Sequence, residues 1–204
     1  MPGPSLCANC ADALVRIGPP VCERCGCPGA WPVRRCVECS GRRLAFARAR
    51  GAILYDARAR RLVSAWKERG RRDLAAALAA IVAEVVARPP VDLLTFVPGD
   101  RERGRERGHV PAERLALALG TLWGLPVRSL LDRHGHSTRQ AALPRTKRAA
   151  NVRGVFSTSQ RAPPRVAVVD DVYTTGATVS ACATALRRAG ARHVDCVCLA
   201  RAVR

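Results

Sequence analysis

Residues 166–178 (VAVVDDVYTTGAT) set two carboxylates, three threonine hydroxyls and a glycine between an apolar run and a helical pattern. Val166 to Val169 has the β-branched, unbroken apolar character of a parallel strand buried on both faces. The carboxyl end of such a strand is where open α/β sheets hold ligands. The amides of a following helix N-terminus, with the dipole behind them, favour an anion there. Gly176 lets the backbone turn closely around that anion, and Thr174, Thr175 and Thr178 add hydroxyl donors. Asp170 and Asp171 can accept hydrogen bonds from vicinal hydroxyls. A ribose carrying a phosphate satisfies both halves. A helix N-cap alone requires one such residue, which leaves two acids and most of the threonines unexplained.

A second chemistry lies near the N-terminus, where seven of the ten cysteines fall between Cys7 and Cys39. Cys22-x-x-Cys25 and Cys36-x-x-Cys39 each supply two thiolates from one turn, half of a tetrahedral zinc site. The ten residues between the pairs are enough for a short ribbon. A zinc ion there contributes on the order of 10 kcal/mol to folding such a segment, so its role is structural. Cys7-x-x-Cys10 is a third pair. It binds no metal, replaces one of the other pairs, or forms a second site completed by Cys27 or a histidine. No thioredoxin-like context supports a redox role. His134-x-His136 has no converging acid or cysteine nearby to make a metal site, and Cys182, Cys196 and Cys198 read as small buried apolar residues.

With 204 residues, 48% of them hydrophobic, the chain has room for one α/β domain plus a small appendage and is not globally disordered. The first ten residues lack a basic stretch followed by an apolar one, so no secretory signal is expected. The longest apolar run, Leu74 to Ala83, is too short to insert in a membrane. A cytoplasmic location is the expectation. The formal net charge of +19 attracts polyanions, single-stranded DNA among them. All but two of the 35 basic residues are arginine, which also fits a composition bias.

Two regions must position this chemistry. Residues 1–44 are rich in Cys, Pro and Gly, too poor in other apolar residues to form a core alone, and need a metal staple. Residues 45–204 alternate strands and helices, which implies a mostly parallel sheet. Strands are expected at 51–55, 92–97, 127–131, 166–169 and 193–199, and helices at 57–69, 72–88, 111–123 and 177–189. Residues 132–154 are polar, basic and aperiodic, as in a loop.

The 166–178 segment resembles the 5-phosphoribosyl-1-pyrophosphate (PRPP) signature of type I phosphoribosyltransferases. The resemblance implies their fold: a mostly parallel central sheet flanked by helices. It assigns Asp170 and Asp171 to the ribose hydroxyls as the catalytic pair, and Thr174, Thr175, Gly176, Ala177 and Thr178 to the 5-phosphate. Other segments narrow it to ComF-like competence proteins, in which such a domain follows a Cys-rich zinc module. Lys67 precedes the glycine of WKERG, a strand ends in Val97-Pro98, and Arg107-Gly108 begins a stretch that departs from the family at His109, Val110 and Pro111. Gln140, Leu143, Arg148, Asn151, Gly154 and Phe156 follow as a series, and the last strand ends in Leu199 to Arg201. The resemblance implies PRPP contacts from Lys67 and Arg107, with Arg101 and Arg103 beside the pyrophosphate. It also implies Mg²⁺ on the pyrophosphate oxygens, a flexible hood over 133–151, and a link to DNA uptake with competence-machinery proteins as partners.

Two classes of function compete on these residues. An enzyme would transfer phosphoribosyl to an amine or base by neutralising and positioning the leaving pyrophosphate. A binding protein would use PRPP or a nucleotide as a ligand and engage single-stranded DNA through its basic surface. Aromatic residues are 4% of the chain, few for a base-stacking groove.

Overall fold

A computed structural model describes residues 6–100, 108–134 and 155–203. Four parallel strands form the central sheet: β1 (Arg48–Leu54), β2 (Leu93–Phe96), β5 (Arg165–Tyr173) and β6 (His193–Arg201), in the order β1-β6-β5-β2. β5 and β6 lie at the centre, where residues 166–169 and 194 are fully buried, as their apolar sequences require. A two-stranded antiparallel ribbon pairs β3 (Asp132–Arg133) with β4 (Phe156–Ser157).

The helices are α1 (Ala8–Asp12), α2 (Ala57–Glu68), α3 (Leu74–Val85), α4 (Pro111–Trp123) and α5 (Ala177–Arg188). Asp56 caps α2 by accepting from the Ala59 amide at 2.8 Å. Pro111 opens α4, and Gly124 closes it in the left-handed conformation, the usual assignment of these residue types. α3 and α4 pack on each other and on the sheet, while α5 packs on β5 and β6.

The expected strand at 127–131 is reduced to a single parallel bridge between Val127 and Leu94. The strand expected to stop at Val169 instead continues to Tyr173, because β6 pairs with it as far as Tyr173↔Arg201. Residues 132 and 133, expected in a loop, pair with β4.

The N-terminal segment covers the outer edge of β1. Leu54 donates to the Val15 carbonyl, Ile17 to Ala52 and Ala49 to Arg24, at 2.8–2.9 Å. An open parallel edge is thereby closed. The ribbon expected around the cysteines is limited to the isolated bridges Val21↔Pro28 and Cys22↔Val33. Leu14, Leu44 and four of its cysteines join the core that contains β1 and β6.

Candidate ribose-phosphate site and cysteine centre

β5 carries the acid pair to the carboxyl edge of the sheet, with Asp170 opposite Cys198. Asp170 is 9% exposed, Asp171 half-buried. Asp170 accepts from the Asp171 amide at 2.9 Å. Burial and the neighbouring Asp171 charge push its carboxyl up to about 8, against the opposing pull of Lys67. Lys67, in the last turn of α2, places its Nζ 2.6 Å from Asp171 Oδ2. Sequence positions a hundred residues apart thus meet as one acid–base group. Asp170 therefore favours its neutral form, while Asp171 is ion-paired.

The loop then turns into α5 through Gly176, whose φ of +73° is left-handed. A Cβ there would fall inside the van der Waals shell of the Tyr173 hydroxyl, so glycine is required twice over. Thr175 is buried, and its Oγ1 accepts from the Ala177 amide at 3.3 Å. Thr174 is exposed, and Ala177 and Thr178 are half-buried in the first turn. Five loop residues and the acid pair therefore share one rim, with the amide end of a twelve-residue helix facing it.

Next along that edge, Val97 donates to Val169 at 3.0 Å and leads into Pro98-Gly99. A cavity of about 650 Å³ opens there, lined by Phe96, Gly99, His109, Glu113, Asp132 and Arg133 among others. Val110 packs against Gly99, where an added Cβ would meet it at 3.1 Å. Val110 and Pro111, the departures from the family pattern, thus shape a wall and start α4. Arg107, Arg101, Arg103, Gln140, Leu143, Arg148, Asn151 and Gly154 lie outside the described residues, as does most of the expected hood.

The sulfurs of Cys22, Cys25, Cys36 and Cys39 all lie within 4.8 Å of one another. Cys22–Cys39, Cys25–Cys36 and Cys36–Cys39 separations are 3.6, 3.4 and 3.9 Å. A tetrahedral ion with metal–sulfur bonds of 2.3 Å separates its sulfurs by about 3.8 Å. The four cysteines are positioned to hold one metal ion. Gly26 (φ +64°) allows the first knuckle to sit against β1, where a Cβ would meet the Ala49 carbonyl oxygen at 2.6 Å. Cys22 tends to the thiolate, at about 7. Burial opposes this, but amides around it, including that of Cys36 at 3.3 Å, outweigh burial.

Among the described residues Cys7 and Cys10 join no such group, and both are exposed on or beside α1. Cys182, Cys196 and Cys198 are buried in α5 and β6, as their apolar surroundings indicated.

Sequence reasoning quoted Tyr173 and Arg201 within their segments but gave no role to them or to Glu38, and all three lie between the cysteine centre and the loop. The available signal was an arginine ending the apolar run VCLAR, in a chain where arginine is too common to stand out.

No family model matches the chain. It is 30% identical to the DNA utilization protein YhgH of Salmonella typhi, over 96% of this chain and 90% of that one. Among solved structures, a glutamine PRPP amidotransferase from B. subtilis, complexed with ADP and GMP, overlaps with a TM-score of 0.44 at 24% identity. The overlap covers 62% of this chain but 26% of the amidotransferase, so the chain spans about a quarter of that protein's length. A purine phosphoribosyltransferase from Pyrococcus horikoshii overlaps with a TM-score of 0.34 at 18% identity, covering 64% of this chain and 72% of that one.

Proposed function

The chain belongs to the family of the ComF-like DNA utilization protein YhgH, and on that premise we propose that it binds PRPP at the rim of residues 170–178. The observation that carries the reading is the junction itself. An acid pair, one member buried and the other tied to Lys67 at 2.6 Å, stands beside a glycine turn that opens a helix N-terminus.

Asp170 and Asp171 hold the ribose hydroxyls, and residues 174–178 wrap the 5-phosphate with amides and threonine hydroxyls. Lys67 and Arg107 supply positive charge to the pyrophosphate. Mg²⁺ would be carried mostly by the ligand's own phosphates, with few protein ligands, and would neutralise charge on the departing pyrophosphate. As a transferase, the protein positions the ribose so that its bond to pyrophosphate breaks while a bond to an acceptor nitrogen forms. The acceptor's proton goes to solvent. The cavity beside Gly99 and His109 is where an amine or base would enter. The cysteine centre holds zinc as a structural ion.

A second reading is favoured by a groove of about 850 Å³ where β1 and β6 begin, on the side away from the acid pair. Arg24, Arg34, Arg35, Arg48, Arg50 and His193 line it. Such a groove suits the phosphates of single-stranded DNA, with PRPP or a nucleotide as ligand of the other site. Pyrophosphate release from PRPP, measured with a panel of amines and bases, separates the two. Release with any acceptor establishes the transferase. No release, together with PRPP binding and salt-sensitive DNA binding, establishes the binding protein. Absence of PRPP binding refutes the transferase, and absence of both PRPP and nucleotide binding refutes the two readings together.

A further inference from the structure

Arg201 ends β6 with 1% of its surface exposed. A buried cation is costly unless every side of it is partnered, and this one is partnered towards two different centres. Towards the cysteines, its Nε donates to the Cys25 carbonyl at 3.3 Å, and Nη2 lies 3.8 Å from Cys25 Sγ. Nη2 also donates at 2.6 Å to Glu38, which stands between Cys36 and Cys39 in sequence. Towards the phosphate loop, Nη1 donates to the Thr174 carbonyl at 3.2 Å and also to Ala202.

The guanidinium lies 4.5 Å from the centre of the Tyr173 ring. The Tyr173 hydroxyl in turn fills the space against Gly176, and Phe46 meets the ring edge-on at 6.1 Å. Gly51 on β1 makes room for this column, since a Cβ there would come within 3.0 Å of Arg201 Cβ. A contiguous set of packed groups therefore runs from the metal knuckle to the turn at residues 174–176. Arginine suits the position because its rigid fork can satisfy both directions at once, which the single ammonium of lysine cannot.

We infer that the four-cysteine metal centre and the phosphate loop are thermodynamically coupled through Arg201, so that metal and ribose phosphate each tighten binding of the other. Arg201 is a positioning residue: it touches neither ligand, but it fixes the Thr174 carbonyl and the Tyr173 ring that shape the turn. Metal loading draws Cys25 and Glu38 into one arrangement and Arg201 with them. A ligand that orders the loop holds Arg201 from the other side. Coupling of this kind is reciprocal by necessity, and a clamp that merely fastens two surfaces does not require it. The inference rests on the reading of residues 174–178 as a phosphate loop.

The test is competition of zinc-loaded protein with a chromophoric chelator, with and without saturating PRPP and Mg²⁺, alongside calorimetry of PRPP binding. In the wild type, PRPP is expected to raise apparent zinc affinity at least about fivefold, the lower range of coupling between sites. In Arg201→Lys, which keeps the charge, the ratio is expected to fall below about twofold while one zinc is still bound. Should that variant fail to fold, Glu38→Gln, which weakens the metal-side anchor alone, is expected to reduce the ratio similarly. PRPP binding to the wild type with unchanged zinc competition overturns the coupling and leaves the ribose-phosphate site standing. An undiminished ratio in a folded variant removes Arg201 from it. Failure of PRPP to bind the wild type overturns the site reading and the coupling together.

Discussion

Asp170→Asn is expected to stabilise the protein as pH rises, while damaging the site. In the folded state the Asp170 carboxyl keeps its proton up to about 8, whereas an ordinary carboxyl releases it near 3.8. Between those values the folded protein binds one proton more than the unfolded chain. Stability from this group is therefore full below the lower value, falls as pH rises, and levels off above about 8. At roughly 1.4 kcal/mol per unit, the loss between pH 6 and pH 8.5 is on the order of 2–3 kcal/mol. Asparagine cannot ionise, and its carbonyl oxygen can still accept from the Asp171 amide, which now donates at 2.9 Å. The assay is urea unfolding of zinc-loaded wild type and variant at several pH values across that window. The difference between the two curves cancels titrations they share, the cysteine centre's included. A stability gap that widens in favour of the variant by roughly 2–3 kcal/mol is expected. Parallel curves would refute the burial of an un-ionised Asp170.

Lys67→Met removes the cation 2.6 Å from Asp171 and is expected to weaken PRPP binding by about tenfold or more, the worth of a charge-assisted hydrogen bond, as read by calorimetry. Gly176→Ala places a Cβ at φ +73° against the Tyr173 hydroxyl. A loss of about 2 kcal/mol or more in denaturant unfolding is expected. Cys36→Ser breaks the four-sulfur set and is expected to abolish retention of one zinc per chain and lower the melting temperature sharply. Cys7→Ser leaves that stoichiometry unchanged, as metal analysis after gel filtration would show.

Local signals in the sequence were enough to place the acid pair, the glycine turn and the helix that follows, because these residues are contiguous and each type has a local reason to be there. The apolar run Val166 to Val169 marks a buried strand, and Gly176 marks the turn. The strand's continuation through Asp170 to Tyr173 was not legible, because it depends on pairing with β6 as far as Arg201. Carboxylates in that stretch look like the start of a loop. The four-cysteine set was legible from spacing alone, while the ribbon expected around it reduces to two isolated bridges. Within residues 21–33 the Cys22, Glu23 and Gly26 amides donate to Cys27, Val33 and Cys22, and the Ala49 amide of β1 donates to Arg24. The role of Arg201, quoted only as the end of the last strand, was hidden for a third reason. Its partners Cys25 and Glu38 lie more than 160 positions away, and nothing local separates it from the exposed arginines.

The most direct test of the ribose-phosphate site is calorimetric titration of PRPP with Mg²⁺ into zinc-loaded wild type and into the Asp170→Asn, Asp171→Asn double variant. Saturable binding by the wild type, weakened at least about tenfold in a folded double variant, is the predicted result. Equal affinity in the two proteins, or no binding by the wild type, would contradict it.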